Sequence, residues 1–138
     1  IEDSRGNTLE NITYMLYYQY KEVNTVNAKY KKDFLPTQEL EDFIMKQPEP
    51  VQVQYGKIIR ILQTDGYLVE PYGKKMSGYS NLFEIRITHG KQVRVFYCYI
   101  KGNAIAGLCG FIKKSQKTPE HEIKKALKLI KKVEEDLR

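Results

Sequence analysis

Apolar residues recur at helical spacing in four segments of the chain, which are therefore predicted to be helices. The predicted helices cover residues 8–23, 37–46, about 51–64 and 119–137. Thr37 is a suitable N-cap for the second helix, and Pro48 and Pro50 end it. Gly66 ends the third helix, because glycine readily adopts the left-handed backbone conformation. The second and third helices are expected to form an antiparallel hairpin.

The apolar stripe is clearest in the last helix. It is predicted to consist of Ile123, Ala126, Leu127, Ile130, Val133 and Leu137. Thr118 can cap this helix, and Pro119 suits its first position. The stripe of the third helix is expected to contain Tyr55, Ile58, Ile59 and Leu62. Both stripes are expected to face a core.

Between residues 82 and 113 the apolar period changes to two, which predicts β-strands. Three strands, separated by turns at 89–91 and 101–103, are expected to form an antiparallel meander. Phe83, Ile85 and Ile87 alternate with polar residues, so one face of the meander is predicted to be apolar and the other polar. A further short strand is expected at residues 30–35. The predicted fold class is α+β.

Length and composition are those of one ordinary domain. The chain has 138 residues, of which 41% are apolar, and this excludes a disordered tail or a membrane protein. Its longest apolar stretch, residues 105–112, is too short to span a bilayer. No signal-peptide pattern opens the sequence, so the protein is expected to be cytoplasmic.

The two cysteines, Cys98 and Cys109, lie on neighbouring predicted strands. Directly paired strands rarely carry a disulfide comfortably, so buried reduced thiols are favoured over a disulfide. No pair of Cys or His residues has the spacing of metal ligands, and no metal site is predicted.

The distribution of charge divides the chain into two parts. The net charge is +6, but residues 1–27 carry −2 and residues 28–138 carry +8. We therefore expect an N-terminal helical extension, residues 1–27, attached to a basic domain, residues 28–138. A basic excess of this size favours an anionic partner, most often a nucleic acid.

Cationic residues are expected to gather on the polar face of the meander. They are Arg86, Arg94, Lys113 and Lys114, with Lys74 and Lys75 on a loop before the meander. If that face is concave, these side chains form a basic floor that can follow a phosphate backbone. The alternative is a solvated sheet face on which Glu84 pairs with Arg86 or Arg94.

Three motifs resemble one toxin family. LFEIR (82–86), VRVFY (93–97) and GFIKKSQKTP (110–119), the last followed by Glu122-Ile123 and Ala126, are similar to the HigB-like, phage-derived branch of the RelE/ParE toxin superfamily. The preceding stretch from Glu70 to Lys75 is also similar. The resemblance runs from about residue 30 to the C-terminus. It implies a small RelE-like domain, in which a helical hairpin packs on an antiparallel sheet with a C-terminal helix.

The resemblance also implies a function. Such a toxin belongs to a type II toxin–antitoxin system, and its ribosome-dependent members are mRNA interferases that cleave mRNA and inhibit translation. The implied partners are mRNA on the ribosome and an antitoxin that usually carries a helix-turn-helix domain. No cofactor is implied.

The expected chemistry is attack of a ribose 2′-hydroxyl on its own 3′-phosphate, without a metal. It needs in-line alignment, removal of the hydroxyl proton and stabilisation of charge at phosphorus. Arg86 is the expected phosphate clamp, with Lys113 or Lys114 beside it. Further candidates are Lys117 for binding or protonation, His121 as an acid or base, and Lys74, Lys75 and Arg94 for holding RNA.

Two other functions stay open. The RelE branch carries a tyrosine in its C-terminal segment, where this chain has Ile123, and the histidine–aspartate–tyrosine ending of some HigB proteins is absent. The missing tyrosine keeps open a non-catalytic module that binds RNA or antitoxin. The other alternative is a gyrase poison of the ParE kind, which would not need the floor of Arg86, Lys113 and Lys114 for cleavage. For residues 1–27 the hypotheses are a cover over the basic site, a peripheral helix or a dimer contact.

Overall fold

The computed structural model describes residues 30–136. The strands are β1 (Asp33–Pro36), β2 (Gly73–Lys75), β3 (Phe83–Thr88), β4 (Gln92–Ile100) and β5 (Ala104–Ile112), and the helices are α1 (Gln38–Met45), α2 (Glu49–Asp65) and α3 (Glu120–Asp136). The predicted helix at residues 8–23 and the last residue of the predicted stripe, Leu137, lie outside the described residues.

The strands form one five-stranded sheet in the order β1-β5-β4-β3-β2. The predicted antiparallel meander is confirmed in β3, β4 and β5. β1 pairs in parallel with β5, so the sheet is mixed. Gly73–Lys75, predicted as loop, instead pairs antiparallel with β3. Three residues are too few to show a period of two, and the sequence pattern could not reveal this strand.

The helical hairpin begins and ends as its sequence predicts. The Thr37 side chain accepts a hydrogen bond from the Leu40 backbone N–H at 3.1 Å. Gly66 follows α2 with φ +87° and donates its N–H to the Leu62 carbonyl. α2 begins earlier than predicted, at Glu49, because proline is tolerated in the first turn of a helix, where its missing N–H has no intrahelical partner.

Both faces of the sheet are covered. The first hydrophobic cluster joins α1 and α2 to one face and includes Leu40, Ile44, Ile58, Leu62, Ile85, Ile87, Val93 and Val95. The second cluster joins α3 to the other face and includes Leu82, Phe96, Cys98, Leu108, Cys109, Phe111, Ile123 and Ala126. Most of the sheet is therefore packed between helices.

The prediction of one polar sheet face was wrong. It was based on β3, which alternates, whereas β4 and β5 present buried side chains to both faces. A bulge between Phe96 and Tyr97 shifts the register with β5. The extra residue of a bulge breaks the strict alternation of side chains, which explains how the adjacent Leu108 and Cys109 both join the second cluster. The polar residues of β3 and β4 thus border a core.

α3 packs on this second core through part of its predicted stripe. Ile123 and Ala126 are buried, and Ile130 and Val133 are partly buried against the cluster. Leu127 was wrongly placed on the stripe, because it is 38% exposed and Leu129 packs inward instead. No helix within residues 30–136 is long and apolar enough to cross a membrane.

The cysteines are free and buried, as the sequence favoured. Cys98 lies opposite Ala106, and Cys109 lies opposite Phe96. Both side chains belong to the second core. The two thiols therefore act as small apolar core groups.

Candidate functional site

The sheet register places two arginines side by side. Arg86 of β3 lies directly opposite Arg94 of β4, and Arg94 lies opposite Phe111 of β5. Residues directly opposite each other project from the same face of a sheet. Both arginines are therefore on the face that carries α3.

A buried carboxylate lies beside this pair. Glu84 is 1% exposed and is two residues from Arg86 on the same face of β3. Its Oε2 accepts a hydrogen bond from Nε of Arg86 at 2.8 Å, and its Oε1 is 4.0 Å from Nε of Arg94. The ion pairing that the sequence offered as an alternative is thus present, and it involves both arginines.

Arg94 is the more deeply buried of the two guanidinium groups. It donates from Nη1 to the Val93 carbonyl and from Nη2 to Oε1 of Gln92, both at 3.1 Å. Burial lowers the pKa of Arg94, the neighbouring Arg86 lowers it further, and Glu84 opposes both effects. An arginine starts from so high a pKa that the side chain stays cationic.

Arg94 lines an open cleft of about 530 Å³ at the end of the sheet. The lining residues are Gln92, Arg94, Lys113, Lys114, Ser115 and Gln116. The Lys113 N–H donates to the Gln92 carbonyl at 2.7 Å, which continues the β4–β5 pairing beyond β5. Among residues 30–136, three cations and no carboxylate thus line the cleft, and such a surface suits a phosphate group.

Three of the catalytic candidates, Arg86, Lys117 and His121, lie outside the cleft lining. Arg86 has a side chain 24% exposed, and its Nη1 lies 3.4 Å from Oε1 of Glu70. Lys117 is exposed, and its carbonyl accepts a hydrogen bond from the Ser115 hydroxyl at 3.1 Å. His121 is also exposed, with Nε2 3.2 Å from Oε2 of Glu122. The structure therefore groups Arg94, not Arg86, with Lys113 and Lys114.

Lys74 and Lys75 project from opposite faces of the sheet. Lys74 lies opposite Glu84, on the face of the arginine pair, whereas Lys75 lies opposite Phe83. The expectation that both lysines fold over one floor was wrong, because consecutive residues of a strand alternate. Only a loop could have turned both side chains the same way.

Sequence reasoning missed three residues of the cleft. Gln92 is two positions from Arg94 on the same strand, so period-two spacing would have placed it on the same face. Ser115 and Gln116 are part of the motif that supplied the lysines, but they were passed over because they are uncharged. Whether Ser115 and Gln116 line the cleft depends on how the chain turns after β5.

Comparison with known proteins agrees with this fold. Residues 42–131 match the family model described as Phage derived protein Gp49-like (DUF891), and the chain belongs to that family. The structure is also similar to one of E. coli toxin RelE in the free state, a mutant with two arginines replaced by alanine. The TM-score is 0.54 at 14% identity, over 70% of this chain and 95% of that one. No curated protein matches the sequence.

The chain is thus a member of the Gp49-like, phage-derived family with a fold similar to that of RelE. The α+β architecture predicted from the sequence is confirmed by this likeness.

Proposed function

We propose that this protein is the toxin of a type II toxin–antitoxin system and that it cleaves mRNA on the ribosome. The observation that carries the proposal is the cleft in which the Arg94 guanidinium lies with Lys113 and Lys114. A cleavage that proceeds through a doubly charged phosphorane depends on fixed positive charge at that point. Burial and two hydrogen bonds fix Arg94 more firmly than any exposed lysine can be fixed.

The residues divide the work of this reaction. Arg94 and Lys113 would stabilise charge on the scissile phosphate, and Lys114 would hold the neighbouring phosphate. Arg86 stands next to Arg94 and adds positive potential from outside the lining. Lys74, on the same face, would hold the RNA backbone, while Lys117 and His121 are exposed candidates for contacts further along the RNA. The 2′-hydroxyl of the RNA itself is the nucleophile: its oxygen bonds to phosphorus as the bond to the 5′-oxygen breaks, giving a 2′,3′-cyclic phosphate. Its proton would pass to a base and the leaving 5′-oxygen would take one from an acid, and Lys117 and His121 are the candidates for these transfers.

Two partners follow from this proposal. The first is mRNA in the decoding site, where the ribosome would hold the RNA in the in-line geometry that attack requires. The second is a cognate antitoxin of the helix-turn-helix type, which would block the basic face by charge complementarity. Both interactions are expected to weaken with salt, because they involve exposed cations.

The test is primer extension on a defined mRNA in a reconstituted translation reaction, with and without ribosomes. Arg94→Ala and Arg86→Ala are compared with Lys75→Ala, which removes a cation from the opposite face of the sheet. We expect cuts that need ribosomes, loss of cleavage by about 100-fold or more for Arg94→Ala, as for removal of one transition-state donor, and normal cleavage for Lys75→Ala.

Other outcomes would overturn the proposal. No cuts from a folded protein that inhibits gyrase would assign the ParE-like function instead. RNA or antitoxin binding without cleavage would make the protein a binding module. Equal loss in Lys75→Ala and Arg94→Ala would mean that general positive charge, and not the cleft, is responsible.

A further inference from the structure

We propose that Glu84 is a positioning residue, which orders Arg86 and Arg94 for the phosphate without contacting it. This inference rests on the proposed function and assigns a task to a carboxylate that the reaction itself does not use. Glu84 is 1% exposed, and glutamate is almost never so buried unless it is paired. Its position on β3 directs it at the arginines, which among residues 30–136 are the cationic groups within 4.0 Å of it.

The contacts of Glu84 involve the inner edge of each guanidinium. Oε2 accepts a hydrogen bond from Nε of Arg86, and Oε1 lies opposite Nε of Arg94 without a hydrogen bond. A bidentate pair would occupy one Nη group as well. Contact through Nε leaves the Nη groups clear of Glu84. Those of Arg94 donate to the Val93 carbonyl and to Oε1 of Gln92, and each keeps a second N–H for a phosphate oxygen. One carboxylate shared by two guanidiniums also leaves the group net positive.

Without Glu84 the two arginines would repel each other. Like charges directly opposite each other on paired strands are destabilising, and Arg86 and Arg94 occupy such a pair of positions. Desolvation adds to the cost for the buried Arg94. The carboxylate between them offsets both effects, so both cations can be held close to the site where phosphate would bind.

Glu84 and Arg94 are also the places where the ion pairing is incomplete. Within residues 30–136, the buried Oε1 of Glu84 and the buried Nε of Arg94 have no hydrogen-bond partner. They lie 4.0 Å apart, about 1 Å more than a hydrogen bond requires. A phosphate in the cleft would attract the Nη groups of Arg94. The accompanying rotation of the guanidinium would bring its Nε within hydrogen-bond distance of Oε1 of Glu84. We therefore expect the contact to tighten when phosphate binds.

The variant that tests this is Glu84→Gln, which keeps the side-chain shape and removes the charge. The matched control is Glu39→Gln, which makes the same charge change at a carboxylate paired with Lys125 between α1 and α3. We expect single-turnover cleavage at saturating RNA to fall by on the order of 100-fold in Glu84→Gln, the loss that a misplacement of about 1 Å causes. RNA binding should be unchanged or tighter, and the control should cleave normally.

A second measurement does not depend on cleavage. Nitrogen-15 NMR of the arginine Nε–H groups, with inorganic phosphate added, reports the order of Arg94 directly. We expect phosphate to shift a protected Nε–H signal in the natural protein, and this signal to be broadened and insensitive to phosphate in Glu84→Gln. Thermal unfolding of each variant shows that the protein is folded, and Glu84→Asp should restore part of the effect.

The two measurements separate the two proposals. If the natural protein cuts no RNA but the NMR result is as expected, the proposed function fails and the role of Glu84 stands. If Glu84→Gln keeps both the cleavage rate and the Nε–H signal, the positioning role is wrong. It is also wrong if Glu84→Gln slows the Arg94→Ala background as much as it slows the natural protein, because a residue that acts through Arg94 has nothing to position there.

Discussion

Arg86 and Arg94 occupy directly opposite positions on neighbouring strands, yet their surroundings give them different capacities. Arg86 is half of an ion pair with Glu84 and meets the exposed carboxylate of Glu70. Arg94 is buried and lines the cleft with two lysines. At the scale of single residues, the environment decides which of two identical side chains lines the cleft.

The environment also sets the acidity of the buried thiols. Burial, and to a lesser extent Glu134, raises the pKa of Cys98 to about 11. Burial is also the main cause that raises the pKa of Cys109 to about 12. The pKa of Tyr97 is raised as well, chiefly by burial. The folded state thus keeps protons that the unfolded chain would release in alkaline solution.

We predict that the protein is destabilised as pH rises above the ordinary thiol pKa of 9.0, until the folded pKa values of about 11 and 12 are passed. In that window the folded state binds more protons than the unfolded state, so the free energy of unfolding falls by up to about 1.4 kcal/mol per pH unit for each thiol. Urea unfolding at a series of pH values measures this slope.

The control is the double variant Cys98→Ala/Cys109→Ala. Its stability at neutral pH will be lower, but its decline with pH should be shallower, because the remaining slope comes from Tyr97, Tyr99 and Lys125, whose pKa values are also raised. An equally steep decline in the variant would show that the thiols do not contribute.

At the scale of secondary-structure elements, α1 packs very closely on β5. A Cβ atom added at Gly110 would overlap the ring of Phe43, and one added at Gly107 would lie 2.6 Å from a methyl group of Leu40. These glycines are in extended strand, so they serve close approach and not an unusual backbone conformation. The hairpin is held against the strand that leads to Lys113.

We predict that Gly110→Ala destabilises the protein by about 1–3 kcal/mol, the usual cost of overpacking a core. Chemical denaturation of the variant measures this cost. Phe43→Ala removes the ring that the new methyl group would meet, so the double variant should lose less stability than the two single changes added together. Strict additivity would mean that α1 does not press on the strand at this point.

The elements also show what the sequence could reveal. Seventeen-residue helices such as α3 and the alternating β3 have strong periodicity, and both were predicted within a few residues of their ends. β2 and the second core were not predicted. β2 has three residues, too few to show a period. β4 is buried on both faces, so alternation does not show which helices cover each face of it.

The lining of the candidate cleft, like the secondary structure, was only partly predictable from the sequence. Lys113, Lys114 and Arg94 were all identified, because positive charge at the end of a strand is visible in the sequence. The opposite faces of Lys74 and Lys75, and the burial of Glu84, depend on strand pairing between distant residues. Such pairing is a property of the folded sheet and not of any local segment.

At the scale of the whole molecule, charge is unevenly distributed. Residues 1–27 carry −2 against +8 for residues 28–138. We propose that the acidic segment is a separate extension that shields the basic body from RNA. Long-range attraction of this kind operates within a Debye length, about 8 Å at physiological ionic strength.

We predict that deletion of residues 1–27 tightens binding of a single-stranded RNA and steepens its dependence on salt, since each newly exposed phosphate contact adds roughly 0.7 to the slope of log K against log salt. A filter-binding titration at several salt concentrations measures both. Replacing Glu2, Asp3, Glu10 and Glu22 by Gln or Asn in the full chain should have the same effect. Unchanged affinity and unchanged slope would make the segment peripheral.

The parallel pairing of β1 with β5 has a consequence for the synthesis of the protein. The Thr37 hydroxyl, one residue beyond β1, donates to the Leu108 carbonyl, 71 positions further along the chain. A nascent chain emerges N-terminus first, so β1 has no partner until β5 has been translated. Lys113 follows directly after β5, and the closing of the sheet and the completion of the basic cleft belong to the same late step. A fragment released before β5 has been translated therefore has neither the closed sheet nor the complete cleft.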